Sequence, residues 1–137
     1  MRADKRRVLV VDDESSITRL LKLNLEKTGK YLVQTLNSSE AALKTALEFH
    51  PDLILLDVIM PGLDGGFLAS ALRSHPALKT VPIVFLTAAT TKEEVAARSG
   101  IIGGLPFLAK PVDLAEVLDC LERQLPSSAP DVATGMI

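Results

Sequence analysis

The chain has no tryptophan, one tyrosine and four phenylalanines, so aromatic residues make up only 4% of its 137 positions. Its core must therefore be aliphatic. A single cysteine, Cys120, excludes an intramolecular disulfide framework and fits a reducing compartment. No apolar stretch approaches the roughly 20 residues of a membrane span. The N-terminus carries basic residues but lacks the long apolar region of a signal peptide. Neither sign of charge predominates, with 15 basic and 17 acidic residues. The net charge of −2 argues against nucleic acid as a direct partner, because duplex binding leaves a basic footprint. The short run Lys5-Arg6-Arg7 reads as a solvated N-terminus. These absences point to a soluble cytoplasmic protein with no membrane contact.

What the chain has is aliphatic residues in quantity, 47% hydrophobic overall, enough for the core of one ordinary domain. Apolar runs alternate with amphipathic stretches. Val8–Val11, Leu53–Leu56, Ile83–Leu86 and Phe107–Ala109 are short runs without polar alternation, as expected of strands buried on both faces. Tyr31–Thr35 alternates and reads as a strand nearer an edge. Helical spacing places Ile17, Leu20, Leu21, Leu25 and Thr28 on one face of a helix over Ser15–Thr28, closed by Gly29. Asn37 and Glu40 resemble a capping box ahead of a helix that runs to about Phe49, where Pro51 stops it. Pro61-Gly62 marks a turn. A third helix follows Asp64, with Phe67, Leu68, Ala71 and Leu72 inward, and His75-Pro76 closes it. Thr90 and Thr91, each three residues before a Glu, signal a short fourth helix ahead of the glycine-rich Ser99–Gly104. The last helix, Asp113 to Leu125, is expected to bury Leu114, Val117, Leu118 and Leu121. Five βα units give an α/β fold with helices on both faces of a parallel sheet. The expected domain spans 6–125, and 126–137 reads as a disordered tail or the start of a linker.

Polar residues stand where the apolar runs stop: Asp12 and Asp13, Asp57, Thr87, and Lys110. In an open parallel sheet, function gathers beyond the carboxyl ends of the strands, so these residues converge on one pocket. Crowded carboxylates raise one another's pKa or recruit a cation. All-oxygen ligands without His or Cys favour Mg2+, with Mn2+ as a substitute. Such a site suits phosphoryl chemistry. Asp57 is then a candidate nucleophile that forms an acyl phosphate, with Lys110 as a compact positive charge and Thr87 as a hydrogen-bond donor.

Four motifs in this order resemble the receiver domains of two-component response regulators, including the chemotaxis regulators: Val8-Leu9-Val10-Val11-Asp12-Asp13-Glu14, Asp57-Val58-Ile59-Met60-Pro61-Gly62-Leu63-Asp64-Gly65, Leu86-Thr87-Ala88 and Phe107-Leu108-Ala109-Lys110-Pro111. The resemblance covers about Arg6 to Leu125. It implies a doubly wound five-stranded parallel sheet in the flavodoxin-like order 2-1-3-4-5. It makes Asp57 the phosphoacceptor, Asp13 and Asp57 direct magnesium ligands and Asp12 a ligand through water. The Ile59 backbone carbonyl completes the set. Thr87 matches the switch hydroxyl, Lys110 the invariant lysine and Phe107 the aromatic switch. The peptide bond before Pro111 is commonly cis in the family. Also implied are a histidine kinase or phosphotransfer protein as donor, a downstream protein target, and dimerisation through the face formed by helix four, strand five and helix five. Phosphorylation and dephosphorylation would be self-catalysed, without a separate enzymatic role.

Two other readings fit less well. An aspartyl-phosphate hydrolase of the haloacid-dehalogenase kind needs a second Asp two residues after the nucleophile, where this chain has Ile59. A dinucleotide site needs a glycine-rich first turn, where this chain has Asp12-Asp13-Glu14-Ser15-Ser16. A receiver within a larger transcription factor or hybrid kinase is a closer alternative. Phe107 in place of the commoner tyrosine, and Gly103-Gly104-Leu105-Pro106 before it, depart from the family pattern. The glycines of this segment, with Gly100, lead to the expectation that the helix-four face is mobile.

Overall fold

The computed structural model describes residues 5–57, 59–60, 63–87, 101–102 and 105–125. Their order is β1 (Arg6–Val11), α1 (Ser15–Lys27), β2 (Tyr31–Leu36), α2 (Ala42–Phe49), β3 (Leu53–Asp57), β4 (Ile59–Met60), β5 (Leu63–Asp64), α3 (Gly65–Ser74), β6 (Ile83–Thr87), β7 (Ile101–Ile102), β8 (Leu105–Ala109) and α4 (Leu114–Gln124). The main sheet runs β2-β1-β3-β6-β8-β7. The first five of these strands are parallel, which is the expected 2-1-3-4-5 order.

Alternation along the central strands explains the two helical layers. Val8 and Val10, Leu53 and Leu55, and Val84 and Leu86 face one side, where Leu21 and Leu25 of α1 and Val117 and Leu121 of α4 cover them. Leu9 and Val11, Ile54 and Leu56, and Ile83 and Phe85 face the other side, against Ala42 and Ala46 of α2 and Leu68 and Leu72 of α3. Every residue of β3 is buried. Each of the buried Val, Leu, Ile and Phe side chains contributes about 1.5–3 kcal/mol by leaving water. The edge strand β2 instead alternates, with Tyr31 and Val33 buried and Leu32 and Gln34 exposed.

Several expectations need correction. Asn37 is not a helix cap: α2 starts at Ala42, its flanking residue Ala41 makes no side-chain cap, and Asn37 is engaged elsewhere. In α1, Leu20 is half exposed, and Thr18 is buried with its hydroxyl donating to the Ser15 carbonyl and accepting from Asn37 Nδ2. In α3, Ala69 takes the inward place expected of Ala71. In α4, Cys120 is buried, whereas Leu114 faces a groove shared with Leu20, Leu21, Asn24 and Val112.

Near the amino ends of the strands, Arg7 is not merely solvated. Its backbone N–H donates to Asp52 Oδ2 at 2.8 Å, and its guanidinium donates to the Phe49 carbonyl at 3.2 Å. That guanidinium also lies 5.9 Å from the Phe49 ring centroid. His50, with φ 55°, ends α2 in the left-handed conformation ahead of Pro51.

Two short hairpins were not foreseen. β4 and β5 pair antiparallel immediately after Asp57, with Ile59 opposite Asp64. β7 pairs antiparallel with β8 and adds a sixth strand at that edge. Each hairpin joins two residues to two across a gap of two, too short for any periodicity to reveal. The expected fourth helix, and the expected tail at 126–137, lie outside the described residues.

Candidate functional site

Register brings the candidate residues together. Val11 pairs with Leu56, so Asp12 and Asp57 lie side by side where β1 and β3 end. Asp57 in turn pairs with Leu86, and Thr87 with Ala109, which puts Lys110 one residue past the end of β8. The side chains of Asp12, Asp13 and Asp57 offer carboxylate oxygens that all lie within 4.8 Å of one another. Asp12 is fully buried and Asp57 is 3% exposed, while Asp13 faces solvent.

Lys110 enters this acidic cluster. Its Nζ lies 2.8 Å from Asp12 Oδ2, 3.4 Å from Asp57 Oδ2 and 3.0 Å from Glu14 Oε1. Burial alone would lower the pKa of Lys110. Its bonds to Asp12 and Glu14 and the charges of Asp12 and Asp57 more than offset this and hold it above the ordinary lysine range. The ammonium therefore stays charged and neutralises part of the cluster. The peptide bond between Lys110 and Pro111 is cis.

The loop after β1 is fastened from several sides. The Asp12 N–H donates to the Leu36 carbonyl, and the Glu14 N–H donates to Asp12 Oδ1 at 2.9 Å. Asn37 Nδ2 donates to the Asp12 carbonyl at 2.8 Å and to Thr18 Oγ1 at 3.0 Å. Asp12 Oδ2 is buried and meets the Lys110 ammonium at 2.8 Å. Three aspartate carboxylates whose oxygens lie within 4.8 Å of one another, with no His or Cys among them, suit a hard divalent cation. The residues present thus fit a metal ion bound through oxygen.

Of the other expected site residues, Ile59 lies in β4, two residues past Asp57. Thr87 ends β6, and its hydroxyl falls outside the described side chains. Phe107 is 4% exposed and packs in the core cluster that contains Phe85 and Leu56. Two participants had been given no part in the site from sequence. Glu14 follows the aspartate pair directly, and its acidity was the available signal. Asn37 gave none, because its partners come from β1 and α1.

Comparison with known proteins agrees with this geometry. The family model for the response regulator receiver domain matches residues 8–122. Protein PilG of Pseudomonas aeruginosa is 29% identical over 128 residues, covering 93% of each chain. The alkaline phosphatase synthesis transcriptional regulatory protein PhoP of Bacillus subtilis is 42% identical over 113 residues, which are 82% of this chain but 45% of that protein. This chain thus spans nearly all of one relative and under half of the other. The solved structure of chemotaxis protein CheY4 from Vibrio cholerae superposes with a TM-score of 0.75 at 33% identity, covering 88% of this chain and 99% of that one. Sequence, strand order and the acidic pocket lead to one conclusion: the chain belongs to the response regulator receiver domain family.

Proposed function

We propose that Asp57 is the phosphoacceptor of a signalling switch. The observation that carries this reading is the buried Asp57 carboxylate 3.4 Å from the Lys110 ammonium, inside a cluster of three aspartates. A carboxylate oxygen of Asp57 attacks the phosphorus of a phosphohistidine. The O–P bond forms as the P–N bond breaks, and the imidazole leaves with the electron pair. Lys110 supplies positive charge to the phosphoryl oxygens, and Thr87, at the adjacent strand end, supplies a hydroxyl donor. Asp13 and Asp57, with the Ile59 carbonyl, would hold Mg2+ directly and Asp12 through water. The bound ion would neutralise charge developing on the transferring group.

The donor is a histidine kinase or a phosphotransfer protein, and the target is a downstream protein. The groove lined by Leu20, Leu21, Asn24, Val112 and Leu114 begins two residues from Lys110 and offers a donor protein an apolar footing beside the pocket. Output runs through Thr87 and Phe107 to the face that β8 and α4 share with the expected fourth helix, which is also the proposed dimer contact. Dephosphorylation is self-catalysed. Acetyl phosphate with Mg2+ should add one phosphoryl group by intact mass, and Asp57→Asn should abolish it. Full incorporation in that variant would exclude Asp57 as acceptor.

A further inference from the structure

Lys110 has three carboxylate neighbours, and two of them, Asp12 and Asp57, belong to the acidic cluster. The third, Glu14, does not. Its side chain is 55% exposed, and it accepts from Lys110 Nζ at 3.0 Å. Glu14 sits at the start of α1, where a carboxylate would ordinarily cap the helix or gain from its dipole. It makes no side-chain cap. Its main chain is nonetheless held at both ends. The N–H donates to Asp12 Oδ1 at 2.9 Å, and the carbonyl accepts from the N–H groups of Ile17 and Thr18 at 3.1 and 3.2 Å. The residue is thus rigidly placed, and its carboxylate is committed to an ammonium whose residue lies 96 positions along the chain.

We propose that Glu14 is a positioning residue that parks the Lys110 ammonium at the pocket mouth when the aspartates are committed to a divalent cation. The inference rests on the phosphoacceptor reading of the pocket. The physical reason is competition. An ammonium within 4 Å of two carboxylates opposes any second cation that needs the same oxygens. Asp12 and Asp57 cannot serve both cations fully. Glu14 gives Lys110 an acceptor outside the contested set and keeps its charge close enough to meet an incoming phosphoryl group. Without that acceptor, Lys110 would remain on Asp12 and Asp57.

Mg2+ alone is the probe, titrated into the full chain by calorimetry and by amide chemical shifts, in a double-mutant cycle. Glu14→Gln should weaken Mg2+ binding roughly threefold to tenfold, within the usual range for groups in contact. Lys110→Ala should tighten it. In the Lys110→Ala background, Glu14→Gln should change the affinity by less than about twofold, because the residue it acts through is gone. An undiminished loss in that background would make Glu14 a ligand or a general negative charge and overturn the proposal, as would an unchanged affinity in the single variant. A readout on Lys110 itself does not depend on the Lys110→Ala protein folding. The Lys110 13Cε resonance in Mg2+-saturated protein should move on Glu14→Gln, and a fixed resonance counts against the proposal. A parent chain that does not respond to Mg2+ would overturn the phosphoacceptor reading as well, whereas a normal response with no Glu14 effect sinks this inference alone.

Discussion

Asn37 spends one amide nitrogen on two acceptors, the Asp12 carbonyl and the Thr18 hydroxyl, and so ties the end of β2 to the loop that carries the aspartates. Thr18 is 1% exposed, and its own hydroxyl donates to the Ser15 carbonyl. Asn37→Ala should therefore cost about 1–3 kcal/mol, the usual penalty when a buried polar group loses its partner. Urea unfolding would measure it, and a change within about 0.5 kcal/mol, the ordinary scatter of surface substitutions, would show the amide to be dispensable. The same residue shows why part of the site could not be read in advance. Asn37 with Glu40 has the spacing of a capping box, yet α2 begins further on and the amide answers to β1 and α1. Asp113 fits local chemistry better, its Oδ1 accepting from the Ala115 N–H at 2.8 Å at the start of α4. The pocket aspartates were legible because they interrupt apolar runs. The roles of Glu14 and Asn37 were not, because both depend on partners that only strand order supplies.

β2 is an edge strand, and its outward backbone groups at Val33 are covered by side chains of α1. The Val33 N–H donates to Glu26 Oε2 at 3.0 Å, and Lys22 Nζ donates to the Val33 carbonyl at 2.8 Å and to Glu26 Oε2 at 3.1 Å. This clamp closes the edge to pairing with another strand. Burial alone would raise the pKa of Glu26, but the Val33 bond and Lys22 outweigh it and hold the carboxyl below its ordinary value of 4.5. A folded-state pKa depressed in this way stabilises the protein above the unfolded value, and the contribution fades as pH falls from 4.5 through the folded one. Wild type should therefore exceed Glu26→Gln in stability at neutral pH, with the gap shrinking below pH 4.5. Urea unfolding across that range checks it, and a gap independent of pH would remove the carboxylate from the account. The clamp could not be read from the chain, although the edge position of β2 could, because its alternation differs from the unbroken burial of β3. Inward faces of helices were legible only to within a residue or two. Leu20 and Leu21 are equally apolar, and only docking on the sheet decides that Leu21 is the buried one.

The pocket belongs to the sheet as a whole. β1, β3, β6 and β8 each deliver a site residue at or just past the carboxyl end, and the two helical layers hold those strands in register. A ligand that bridges Asp57, Lys110 and a cation binds only when all four strands are paired, so its binding energy is folding energy. Beryllofluoride with Mg2+, at a hundred times its dissociation constant, should stabilise the fold by about 2.7 kcal/mol. For a domain of this size that raises Tm by on the order of ten degrees. Asp57→Asn should abolish the increment. Leu121, fully buried in the core between the sheet and α4, supplies the control. Leu121→Ala should lower the starting stability by about 2–5 kcal/mol through the cavity it leaves. It should keep the increment, because separate sites contribute additively. Differential scanning calorimetry on the three proteins separates the cases. An increment that survives Asp57→Asn places the ligand elsewhere. One lost in Leu121→Ala shows that the pocket depends on core packing rather than on strand register.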